Sequence, residues 1–156
     1  MDTAPSSGSL DVGSGADRRS IQYLTRAGNA PGVFWMSGFK SEMRSTKASY
    51  LDEWAARRGQ AYTRFDYSGH GLSAGRFEDG TLSRWLEEAI AVFDHLTEGP
   101  QVVVGSSMGG IPELVSDGET GLIFEAGDPE AAGREIARAI ERAAPWLDCE
   151  ARRPPP

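Results

Sequence analysis

The chain has 156 residues, with 16 Lys+Arg against 23 Asp+Glu for a formal charge of −7; 39% of residues are hydrophobic, 25% are charged and one is cysteine. That is the profile of a single soluble globular domain, and its acidity argues against a nucleic-acid or anionic-membrane partner, which would need clustered Lys and Arg. A lone cysteine cannot form an internal disulfide and points to a reducing, cytoplasmic setting. The first twenty residues lack the apolar core of a signal peptide.

Residues 1–19 (MDTAPSSGSLDVGSGADRR) are Ser/Gly/Asp-rich and aperiodic, and are expected to be a disordered leader. Strands and helices then alternate. Residues 21–25 suit an edge strand, and GVFWM at 32–36 suits a strand buried on both faces. Residues 46–58 read as a helix and AYTRF at 61–65 as the next strand, which ends in a Gly-rich loop. Residues 82–97 carry Leu82, Trp85, Leu86, Ala89, Ile90, Phe93 and Leu96 on one apolar stripe, with Thr81 as N-cap and Gly99-Pro100 as the stop. QVVV at 101–104 is a further buried strand and GLIF at 121–124 a possible one. Asp128-Pro129 opens a last helix that Pro145 should end, leaving 148–156 as a disordered tail. This order implies an α/β fold, a mainly parallel sheet with helices on both faces and ligands at the carboxyl ends of the strands.

GSSMG at 105–109 matches G-x-S-x-G, with Ser107 central and Gly105 and Gly109 flanking it. A serine on a sharp strand-to-helix turn needs small neighbours so that the bend can close. The N–H that follows it then faces the oxyanion that develops during acyl transfer. With 19 glycines the pattern recurs, at GLSAG (71–75). Context separates the two, because Ser107 directly follows an apolar strand whereas Ser73 sits in a polar loop. No Walker A or G-x-G-x-x-G pattern is present, and no cofactor or metal is implied.

Four segments, GVFWMSGFKSEM, RFDYSGHGLSAG, TLSRWLEEAIAVFDHL and QVVVGSSMGG, together resemble the α/β-hydrolase family in its small esterase/thioesterase branch. The resemblance covers about 20–110 and implies a truncated α/β-hydrolase fold acting on small acyl esters or thioesters. It implies Ser107 as nucleophile and an oxyanion hole from the backbone N–H groups of Met108 and Phe39. Ser37 stands where the family commonly has His. The family's triad runs serine, acid, histidine, yet no histidine follows Ser107; the two present are His70 and His95. His95 is expected at the surface. His70, in the Gly-rich loop, is expected to have a loop role, with a non-standard base as the rescue alternative.

From Gly110 the sequence GGIPELVSDGETGLIFEAGDPEAAGREIARAIE instead resembles the C-terminal end of a retaining two-domain glycosyltransferase. The expectation is a junction at 109–110 and a helix–strand–helix segment over 111–147. Glu113 would contact a nucleotide ribose there; Asp117 and Asp128 read as turn and cap residues and Cys149 as a bystander. The leading reading is a serine hydrolase with a formed elbow, an incomplete triad and little or no activity as the chain stands. The alternatives are a glycosyltransferase remnant that binds a nucleotide sugar and a non-catalytic interaction module.

Overall fold

The computed structural model describes residues 4–109, 122 and 129–151. Among the described residues five strands, β1 (Ser6–Val12), β2 (Arg19–Arg26), β3 (Asn29–Met36), β4 (Gln60–Phe65) and β5 (Gln101–Gly105), form one sheet in the order β1-β2-β4-β3-β5. β3 runs parallel to both β4 and β5, while β1–β2 and β2–β4 are antiparallel. Helix α1 (Thr46–Arg58) links β3 to β4 and α2 (Leu82–Leu96) links β4 to β5, the two parallel crossovers expected from the alternating pattern.

The alternation of side chains along β3 and β4 sorts the two helices onto opposite faces. Tyr62 and Arg64 face α1, where the Tyr62 hydroxyl donates to the Ala48 carbonyl at 3.1 Å. Phe34 and Phe65 face the other way, into a cluster with Val12, Ile21, Tyr67, Trp85, Ala89 and Val92. Trp35, Trp54 and Trp85 are all buried, as core residues should be.

Three expectations are corrected. Residues 6–12 are not a disordered leader: they form β1, registered along its whole length from Ser6↔Thr25 to Val12↔Arg19, so β2 is an interior strand rather than an edge. A strand this poor in apolar residues is held by its ladder and by Leu10 and Val12 on the core. Helix α3 (Pro129–Ala151) continues through Pro145 and past residue 148, so Pro145 does not end it; a proline removes one backbone donor but leaves the turns on either side able to bond.

The third concerns α2. It buries Trp85, Glu88, Ala89 and Val92, while Leu82, Leu86 and Ile90 are exposed, so its inner face is rotated away from the apolar stripe. Glu88 explains the rotation. It is fully buried, accepts from Arg19 Nε at 2.6 Å, and accepts the Ser68 N–H at 2.9 Å. Burial draws the Arg19 pKa down, but hydrogen bonds to Glu88 and Glu87 outweigh it and hold the guanidinium more basic than usual.

The chain divides into two compact units, 1–111 and 112–156. In the second, Ala132 and Ile136 of α3 are buried. The proposed strand at 121–124, and Glu113, Asp117 and Asp128, lie outside the described residues apart from Leu122.

Candidate active site

β5 ends at Gly105, and residues Ser107–Gly109 form a short 3-10 turn. Ser107 has φ +54°, the left-handed region that a side chain adopts at a cost of about 1–2 kcal/mol. Its side chain is exposed. The bend is pinned to β3: the Ser106 N–H donates to the Met36 carbonyl at 3.1 Å, and the Gly109 N–H returns to the Ser106 carbonyl at 3.1 Å. Gly109 must lack a side chain, because a Cβ there would lie 2.4 Å from the Met36 oxygen.

The loop after β3 lies against this bend. A Cβ on Gly38 would sit 2.9 Å from the Ser106 oxygen and 3.1 Å from Ser107 Cβ, so the two backbones approach as closely as glycine permits. Ser37 is fully buried and its hydroxyl accepts from Trp35 Nε1 at 3.0 Å. Phe39 is 55% exposed, with its ring edge-on to Phe77 at 5.0 Å. Neither the Phe39 nor the Met108 backbone N–H has a hydrogen-bond partner among the described residues.

His70 is buried and both ring nitrogens are engaged. Nε2 accepts the Lys40 N–H at 3.2 Å, and Nδ1 lies 3.1 Å from the Ser68 carbonyl. Accepting at Nε2 leaves the ring proton on Nδ1 to donate to that carbonyl. Tyr67, Phe77 and Trp85 surround the ring. His70 therefore anchors residue 40, itself at φ +54°, and has no free nitrogen to serve as a base. His95 is exposed at the end of α2, with Nδ1 2.8 Å from the Ala91 carbonyl.

Two residues after β4, both expected to be structural, organise the site. Asp66, 1% exposed, accepts the Met43 N–H at Oδ1 (2.6 Å) and the Leu72 N–H at Oδ2 (2.9 Å), tying the loop after β3 to the Gly-rich loop. Ser73, centre of the second G-x-S-x-G match, is consumed by structure: its hydroxyl donates to the Asp66 carbonyl at 2.6 Å and accepts the Gln22 N–H at 2.8 Å. Its position after Asp66 in a polar loop was the available signal. Among the described residues, no cluster of His, Cys, Asp and Glu could hold a metal ion, and no helix is long and apolar enough to cross a membrane.

A serine at positive φ on a strand-to-turn bend, exposed at the carboxyl edge of a parallel β-sheet core, is the arrangement of an α/β-hydrolase elbow. The chain belongs to the alpha/beta hydrolase family, which it matches over residues 30–155. It is 42% identical over 94 residues to the palmitoyl-protein thioesterase ABHD10, mitochondrial, of Bos taurus, and 40% identical over 94 residues to the Homo sapiens protein of that name. Each match covers 60% of this chain and 31% of the relative, so the chain spans about a third of the curated relatives' length. Among solved structures, a putative hydrolase from Agrobacterium vitis S4 is 48% identical with a TM-score of 0.66, covering 69% of this chain and 42% of that one. Mouse alpha/beta hydrolase domain-containing protein 10 is 34% identical with a TM-score of 0.61, covering 67% and 40%. The mitochondrial relatives overturn the cytoplasmic expectation: cysteine content reports a reducing environment but does not say which compartment supplies it.

Proposed function

We propose that this chain carries the nucleophile half of a serine hydrolase acting on carboxylic esters and thioesters. The Ser107 hydroxyl attacks the acyl carbon, and the oxyanion accepts the Met108 and Phe39 N–H groups. The alcohol or thiol leaves, and water then releases the acid from the acyl-serine. The observation that carries this reading is the positive φ of Ser107 in a bend packed against Gly38, with the Phe39 and Met108 N–H groups unpartnered among the described residues. Thioesters are the first substrates to try, because relatives named palmitoyl-protein thioesterases share this segment.

The base is what these 156 residues do not supply. No histidine follows Ser107 and His70 is engaged at both nitrogens. A hydroxyl without a base is a weak nucleophile, and oxyanion stabilisation alone leaves roughly 10³–10⁴-fold over water. The chain by itself is therefore a poor catalyst. Imidazole added to an acyl-thioester hydrolysis assay should raise the rate in a Ser107-dependent way; an increase of equal size in Ser107→Ala would refute the assignment.

A second reading keeps the resemblance of 109–144 to a glycosyltransferase terminus, joined to the hydrolase segment at 109–110. The boundary between compact units at 111/112 favours it, whereas the family match extending to residue 155 weighs against it. Saturable binding of a nucleotide sugar by calorimetry would support it, and absence of binding would remove it.

A further inference from the structure

Among the described residues, Lys40 and Ser107 are the two non-glycine residues at positive φ, both at +54°. They stand on either side of one close approach, where Gly38 meets Ser106 and Ser107. The angle at Ser107 belongs to the elbow. The angle at Lys40 needs its own cause, because a side chain disfavours that region and such strain persists only where neighbours hold it. Residues 38–41 form a turn closed by the Ser41 N–H on the Gly38 carbonyl at 3.1 Å, so Phe39 is the second residue of the turn and Lys40 the third. The peptide between them carries the Lys40 N–H, and rotating that peptide would relax Lys40 to negative φ.

The contact that opposes this rotation is the bond from the Lys40 N–H to His70 Nε2 at 3.2 Å. Its partners fix the state of the ring. A backbone N–H can only donate and a carbonyl can only accept, so Nε2 is unprotonated and Nδ1 carries the proton, which goes to the Ser68 carbonyl at 3.1 Å. Tyr67, Phe77 and Trp85 meet the buried ring edge-on. Ser68 is held in turn: its carbonyl also accepts from Trp85 Nε1 at 3.1 Å, and its N–H donates to Glu88 at 2.9 Å. The other oxygen of Glu88 accepts from Arg19 Nε at 2.6 Å. A line of hydrogen bonds thus runs from the buried Arg19–Glu88 pair through Ser68 and His70 to the turn that carries Phe39.

We propose that His70 is a positioning residue of the oxyanion hole: its unprotonated Nε2 latches the Phe39–Lys40 peptide and so keeps the Phe39 N–H turned towards the acyl oxygen. The inference rests on the reading of Ser107 as nucleophile, and it adds a residue that acts through a neighbouring backbone rather than on the substrate.

The test has two arms, both on the 156-residue chain. In the first, NMR of the isotope-labelled protein looks for scalar coupling across the hydrogen bond between the Lys40 amide nitrogen and His70 Nε2. The coupling is expected, with Nδ1 as the protonated ring nitrogen; its absence, or a proton on Nε2, overturns the proposal whatever Ser107 does. In the second, the rate of Ser107 modification by an alkyl fluorophosphonate is compared at matched folded fraction in the unsubstituted chain, His70→Leu and His70→Gln. His70→Leu fills the space without an acceptor and should slow modification about ten- to hundredfold, the scale of a misplaced oxyanion donor. His70→Gln puts an amide oxygen at about the reach of Nε2 and should recover most of the rate. A leucine variant as fast as the unsubstituted chain, or a glutamine variant as slow as the leucine one, overturns the proposal and leaves the nucleophile reading standing. A Ser107 that never reacts in the unsubstituted chain overturns the nucleophile reading, and this role falls with it. Should His70→Leu fail to fold, the coupling and the glutamine variant still decide.

Discussion

Removing the Asp66 carboxylate separates the two loops that build the site. Asp66→Ala leaves the buried Met43 N–H and the part-buried Leu72 N–H without their acceptor. An unmade buried donor costs about 1–3 kcal/mol and the partly wetted one falls at the low end, which together give about 2–5 kcal/mol of lost stability. Asp66→Asn keeps a single carbonyl oxygen, so one N–H is served and the loss should be about half. Water cannot easily substitute, because Asp66 is 1% exposed. Urea unfolding at neutral pH, compared through midpoint and slope, reads both variants. A loss below about 1 kcal/mol for the alanine variant, or equal losses for the two, would show that the loops do not depend on this carboxylate. The functional counterpart is slower modification of Ser107, since the Met43 bond anchors the loop that carries Phe39.

The other expectations follow from single contacts. Ser107→Gly should raise stability by about 1 kcal/mol by relieving the positive φ while abolishing reaction at this position, a gain in the urea midpoint that accompanies loss of function. Gly109→Ala forces a Cβ against the Met36 carbonyl at 2.4 Å and should cost about 1–3 kcal/mol in the same assay; a neutral result would mean that the bend is not pinned to β3. Tyr62 and Tyr67 are both pushed above the ordinary phenol pKa, first by burial and in Tyr67 also by Glu88. The fold thus holds their protons more tightly than the unfolded chain does, so stability is intact below pH about 10 and falls above it by about 1.4 kcal/mol per pH unit for each tyrosine. Urea midpoints measured across that range check the slope, and Tyr67→Phe should reduce it.

The bend at Ser107 was legible because its constraints are local. An apolar strand running directly into small residues around a serine placed the bend at Ser107, and Gly109 reads as a glycine required by close approach. The parallel β3-α1-β4-α2-β5 core followed from periodicity, with the helix bounds falling within a residue of those expected. What escaped depends on partners distant in sequence. β1 is polar and Ser-rich, so its composition matches disorder until β2 supplies the ladder. The rotation of α2 depends on Glu88 meeting Arg19, sixty-nine residues away in the chain. The location of His70 in a loop at the strand ends was readable, but its engagement by the Lys40 N–H needs the fold.

The central claim is that Ser107 is a nucleophile held beside an oxyanion hole. Treating the chain with an alkyl fluorophosphonate and mapping the adduct by peptide mass spectrometry tests it most directly. Slow modification confined to Ser107, absent from Ser107→Ala and retained in Ser73→Ala, is the result predicted; an unmodified Ser107, or an adduct forming equally on Ser73, would contradict it.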